Sequence, residues 1–191
     1  NAICTECPAG RIDDDSDAST PCILCVVGTY SPGHTTTCDD CHAGEADHDS
    51  DPSTPCAACG EGQYSPRDAT SCTDCAAGRF DFDRDAATPC EACDDGFYSP
   101  VGSIVCTQCV QNTMDDDSDP STPCVACSAG EYSLRNATSC TACVAGRADL
   151  DSDPSTPCSA CEPGYYSGAQ LSECTSCGQN MMDDDSDPST P

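Results

Sequence analysis

Apolar residues along this chain keep no helical spacing, and no apolar run approaches the length of a membrane-spanning helix. What recurs is cysteine, always as C-x-x-C. All 22 cysteines fall into eleven such pairs, beginning alternately 18 and 16 residues apart, so the period is 34 residues in two halves. The short half opens C-x-x-G-x-Y-S, as in "CVVGTYSPGHTTTC" and "CGEGQYSPRDATSC". The long half reads C-x-x-G-x-x-D-x-D-x-D-x-x-T-P-C, as in "CPAGRIDDDSDASTPC". The residue three after the cysteine is Gly in nine of eleven halves and Asn at Asn112 and Asn180, which predicts a tight turn with positive φ. Proline before each closing cysteine of the long halves forbids helix continuation.

These patterns predict a small disulfide-rich repeat, an elongated solenoid-like ladder of irregular short strands and turns with little helix. Residues 1–191 form tandem repeats, about five and a half units. A unit without its own core becomes a one-dimensional stack. The start at Asn1 and the stop after Thr190-Pro191, where earlier repeats place cysteine, read as a piece cut at both ends from a longer repeat.

Composition explains why crosslinks must supply the order. The apolar fraction of 37% includes the cysteines, and the chain has no Trp, three Phe and three Met. That is too little for one sizeable core. Thirty-four acids against six bases leave a net charge of −28, which excludes nucleic acid and disfavours anionic membrane surfaces. Such cysteine density points to an oxidising compartment, extracellular or at the cell surface.

Paired C-x-x-C motifs also suit zinc. Eleven pairs do not group by twos, however, and zinc sites are usually separated by spacers of variable length. No βαβ pattern surrounds a pair as in a thioredoxin-like redox site. The pattern favours a disulfide ladder, in which the second cysteine of each pair bonds the first of the next. The pairs are Cys7–Cys22, Cys25–Cys38, Cys41–Cys56, Cys59–Cys72, Cys75–Cys90, Cys93–Cys106, Cys109–Cys124, Cys127–Cys140, Cys143–Cys158 and Cys161–Cys174. Cys4 and Cys177 would then pair outside the fragment. The competing pattern, Cys4–Cys22 with Cys7–Cys25, leaves the next loop unclosed.

The short half resembles the cysteine-rich repeats of ephrin-receptor-like and tumour-necrosis-factor-receptor-like extracellular proteins. Tyr30, Tyr64, Tyr98, Tyr132 and Tyr166 stand at the matching aromatic position. The resemblance implies modules closed by such cysteine pairs and joined into elongated, disulfide-laddered rods. The long half departs from it, with an acidic run in place of the aromatic.

The tyrosines read as structural, each ring lying over a disulfide in place of a core. The acidic runs are Asp13/Asp15/Asp17, Asp47/Asp49/Asp51, Asp81/Asp83/Asp85, Asp115/Asp117/Asp119, Asp149/Asp151/Asp153 and Asp183/Asp185/Asp187. In an extended segment the three carboxylates of a run share a face at intervals of roughly 7 Å. Two readings stand: a solvated acidic turn, or a weak calcium site that is not an EF-hand. Asn136-Ala137-Thr138 is the only N-linked acceptor, and Thr20, Thr54, Thr88, Thr122, Thr156 and Thr190 beside proline hint at O-linked sugars. His34, His42 and His48 sit in one stretch, and no nucleophile–base arrangement recurs. The expectation is a structural extracellular rod or filament that self-associates or continues along a fibre, with glycans, and not an enzyme. The alternatives are a receptor or adhesin stalk, and an acidic calcium-buffering or mineral-templating matrix protein.

Overall fold

The computed structural model describes residues 6–17, 19–153, 155–178 and 187–190. Its secondary structure is twenty strands of two residues each, paired into ten antiparallel hairpins, with no helix among the described residues. The chain divides into two compact units, Asn1–Ala92 with Pro100–Val105, and Cys93–Ser99 with Cys106–Pro191.

In the first unit β1 (Arg11–Ile12) pairs with β2 (Ile23–Leu24), β3 (Thr29–Tyr30) with β4 (Asp39–Asp40), and β5 (Glu45–Ala46) with β6 (Ala57–Ala58). Two further hairpins join β7 (Gln63–Tyr64) to β8 (Thr73–Asp74) and β9 (Arg79–Phe80) to β10 (Glu91–Ala92). The second unit repeats the scheme. There β11 (Phe97–Tyr98) pairs with β12 (Thr107–Gln108), β13 (Thr113–Met114) with β14 (Val125–Ala126), and β15 (Glu131–Tyr132) with β16 (Thr141–Ala142). The last two hairpins join β17 (Arg147–Ala148) to β18 (Ser159–Ala160) and β19 (Tyr165–Tyr166) to β20 (Thr175–Ser176).

This pairing explains the constant C-x-x-C spacing. The two residues between the cysteines are the second strand of a hairpin, as Ile23–Leu24 lies between Cys22 and Cys25. Side chains three apart in an extended segment point to opposite sides. One cysteine therefore faces back to the half just completed and the other faces on to the next. The disulfide ladder is accordingly present. Cys7 bonds Cys22 and Cys25 bonds Cys38, with sequence separations of 15 and 13 that alternate through to Cys161–Cys174. Cys177 is free and half-buried, and Cys4 lies outside the described residues.

The expected left-handed turns are there. All nine glycines of the motif have positive φ, and Asn112 takes their place at φ 69°; Asn180 lies outside the described residues. The requirement is steric as well as conformational. A Cβ at Gly62 would overlap the backbone carbonyl of Gly102, so consecutive short halves touch through that glycine.

Little of the interior is ordinary hydrophobe. Among the described residues the buried apolar ones are nine cysteines, Ile12, Ala46 and Ala148, and the largest fully buried side chains are cysteines and serines. The serine after each motif tyrosine is the hub. Ser31 donates its amide to Pro52 O (2.9 Å), accepts the Gly10 amide (2.9 Å) and donates its hydroxyl to Arg11 O (3.2 Å). Ser65, Ser133 and Ser167 send their hydroxyls to Glu45, Thr113 and Arg147 in the same way, and Ser99 is equally buried. A second bond closes each long–short step: His34, Asp68, Gly102, Asn136 and Gln170 donate their amides to the carbonyls of Cys7, Cys41, Cys75, Cys109 and Cys143. Backbone and sulfur thus replace a core.

Candidate functional site

The acidic loops of the long halves carry most of the chain's chemistry, and their carboxylates do not line one face. The residue between the second and third Asp has positive φ at Ser16, Ser50, Arg84, Ser118 and Ser152, and its counterpart Ser186 lies outside the described residues. That left-handed residue breaks the alternation of an extended strand, which corrects the expectation of three aligned carboxylates. Each Asp has its own task instead.

The first Asp turns inward. Asp47, Asp81, Asp115 and Asp149 are buried, and Asp13 is half-buried. The carboxylates of Asp47, Asp81 and Asp115 accept the amides of Gly28, Gly62 and Gly96 at 3.1, 3.2 and 3.0 Å. Their own amides donate forward to Ala69, Ser103 and Ala137 at 2.9 Å each. One residue so binds the short half before it to the short half after it. Burial, joined by the neighbouring Asp151 carboxyl, pushes the Asp149 carboxyl above the usual carboxylate range.

The second Asp closes the loop on itself. The Asp15 carboxylate accepts the Asp17 amide at 2.9 Å and the Thr20 hydroxyl at 2.8 Å. Asp49, Asp83, Asp117 and Asp151 repeat this with Thr54, Thr88, Thr122 and Thr156. The backbone amide two residues on, then the threonine hydroxyl, holds Asp15, Asp49 and Asp83 below the ordinary carboxylate range. Asp151 is lowered chiefly by the Asp153 amide.

The third Asp forms an Asx turn. Asp17, Asp51, Asp119, Asp153 and Asp187 accept the amide of Ser19, Ser53, Ser121, Ser155 or Ser189 at 2.9 to 3.0 Å, and Asp85 that of Ala87 at 3.0 Å. The Asp17 carboxyl is lowered by the Ser19 amide first. At Asp119 and Asp187 the partner serine hydroxyl is the largest cause. Asp183 and Asp185 lie outside the described residues. Among the described residues no group of three His, Cys, Asp or Glu is placed to hold a metal ion.

Sugar attachment meets the same wiring. The hydroxyls of Thr20, Thr54, Thr88, Thr122 and Thr156 donate to both the second Asp carboxylate and the third Asp carbonyl, and Thr190 donates to Asp187 O. An O-linked sugar would remove that donor. Asn136 is exposed, with its amide committed to Cys109 O.

Tyr30, Tyr64, Tyr98, Tyr132 and Tyr166 are half-buried, and the fully buried residue is the serine that follows each one. That serine recurs in every short half, which was the available signal for it. Arginine was a second missed structural group. Arg11, Arg79 and Arg147, each directly after a motif glycine, donate to the carbonyls of Cys22, Cys90 and Cys158 at 2.8 to 3.0 Å.

The histidines go separate ways. His34 meets Glu6 at 2.9 Å, His42 meets Glu45 at 3.7 Å, and His48 lies 3.5 Å from the sulfur of Cys72. Two open grooves stand out, one in each unit: one lined by Tyr64, Asp74, Arg79 and Cys90, the other by Leu150, Glu162, Tyr165, Glu173 and Cys174. No helix among the described residues is long and apolar enough to cross a membrane. Compared with models of protein families and with curated proteins, the chain matches none. The structure shows a repeated disulfide-rich pattern of the cysteine-rich class without assigning it to a family.

Proposed function

We propose that this chain is an extracellular structural protein whose near-identical modules build a self-associating filament, with no catalytic step. The observation that carries the reading is the recurrence of one bonding scheme. The buried serine, the inward first Asp and the ladder disulfide return in successive repeats with the same partners. A polymer needs repetition, whereas a binding face needs difference. Ten disulfides suit an oxidising compartment and supply the stability that a small apolar interior does not. Exposed Asn136 is the position an N-linked sugar would take.

Negative-stain electron microscopy with sedimentation velocity on the purified protein tests this. Uniform fibres and a concentration-dependent sedimenting species are the expected result. A single monomeric species at all concentrations, with no fibres, would replace the filament by the stalk or ectodomain reading.

A further inference from the structure

We infer that the Cys59–Cys72 disulfide is a thiol-exchange site, where an external small thiol becomes covalently attached with help from His48. The contact is specific to this repeat. His48 Nε2 lies 3.5 Å from Cys72 Sγ. His48 fills the position between the first and second Asp of its run, where the other described runs carry Asp14, Phe82, Asp116 and Leu150. The matching Leu150 lines one groove together with Cys174, so this position lies near the closing cysteine of the following short half. Only at His48 is the residue there an imidazole.

Access favours the same bond. Seven of the ten disulfides include at least one buried cysteine, from Cys7–Cys22 to Cys161–Cys174. Cys59 and Cys72 are both half-buried, as are Cys93–Cys106 and Cys127–Cys140, which in register follow Phe82 and Asp116. Phe82 offers a leaving sulfur no hydrogen bond, and the Asp116 carboxylate would repel its developing charge.

The exchange is balanced as follows. An external thiolate attacks Cys59 Sγ, a new S–S bond forms to Cys59, and the Cys59–Cys72 bond breaks. Cys72 leaves with the electron pair as a thiolate, accepts a hydrogen bond from His48 Nε2–H, and takes its proton from water, while His48 keeps its own. The external thiol is oxidised into the mixed disulfide and Cys72 is reduced to a thiol. Stabilising the leaving thiolate speeds this class of exchange.

The test treats the whole protein with a limiting amount of 2-mercaptoethanol, a neutral thiol that the net charge of −28 does not repel. Acid quenching, alkylation and peptide mass mapping follow. Cys59 should carry the adduct and Cys72 the alkyl group before any other pair reacts. In His48→Leu, which copies the side chain at Leu150, exchange at this bond should slow by about tenfold, the worth of one hydrogen bond to a charged group. Another disulfide reacting first in the unaltered protein, or an unchanged Cys59–Cys72 rate in His48→Leu, would overturn the proposal.

Discussion

Asp81 shows what a single residue does in this fold: at 4% exposure it holds the amide of Gly62 behind it and reaches Ser103 ahead of it. Removing the carboxylate leaves a buried amide without its acceptor. Asp81→Ala should therefore cost about 1–3 kcal/mol in denaturant unfolding with disulfides intact, and Asp81→Asn, which keeps an acceptor oxygen, distinctly less. Equal losses for both variants would show that the charge matters rather than the hydrogen bond. Backbone conformation is the other residue-scale term. Gln170 has φ 61° where the matching Gly102 has φ 73°. A left-handed non-glycine costs roughly 1–2 kcal/mol, and glycine returns part of that as unfolded-chain entropy, so Gln170→Gly should stabilise by about 0.5–1 kcal/mol. A destabilised Gln170→Gly would place the value of that residue in its side chain, which donates to Glu131 Oε1 at 3.4 Å.

At the scale of the element, the acidic loop behaves as a unit with a definite response to pH. Asp15, Asp17, Asp49, Asp83, Asp119, Asp151 and Asp187 titrate lower in the fold than in the open chain. Their contribution is present above the unfolded value near about 3.9 and is lost as the pH falls through their lower folded values. Asp149, raised by burial, acts in the opposite sense, contributing below the unfolded value and losing that contribution as the pH rises. Because seven groups oppose one, melting followed by circular dichroism should weaken from about pH 4 downward; a flat profile there would mean the loops are not formed in solution. A hairpin can be opened singly as well. Cys127→Ala with Cys140→Ala removes one rung and should cost about 2–4 kcal/mol. Amide exchange should then quicken across β15 and β16 while β17 and β18 keep their protection. Uniform loss of protection would contradict a stack of separately closed halves.

Much of this element was legible in the residues. The C-x-x-C spacing favours the ladder without excluding Cys4–Cys22 with Cys7–Cys25, and Gly or Asn at one fixed position gives the left-handed turn, because covalent closure and backbone sterics are local constraints. The inward turn of Asp47 and the burial of Ser31 were not. Both depend on partners 19 to 21 residues away in neighbouring halves, among them Gly28 and Pro52. The expectation of aligned carboxylates treated the run as extended, and the left-handed residue between the second and third Asp is what undid that geometry.

For the whole molecule, charge opposes the compact state while the crosslinks hold it. The net charge of −28 includes only six bases, and three of them, Arg11, Arg79 and Arg147, are spent on carbonyl oxygens. Self-repulsion on that scale is screened by salt, so raising sodium chloride from about 0.01 to 0.15 M should raise the melting temperature. A fall would show that exposed pairs such as Arg67–Asp40, at 2.7 Å, outweigh the repulsion. The central claim is that each half is closed by its own disulfide, joining the second cysteine of one C-x-x-C to the first of the next. Peptide mapping of the unreduced protein by mass spectrometry tests it most directly. Linked peptides containing Cys25 with Cys38, Cys41 with Cys56 and their counterparts along the chain are predicted, whereas peptides linking Cys7 with Cys25, or free thiols throughout, would contradict it.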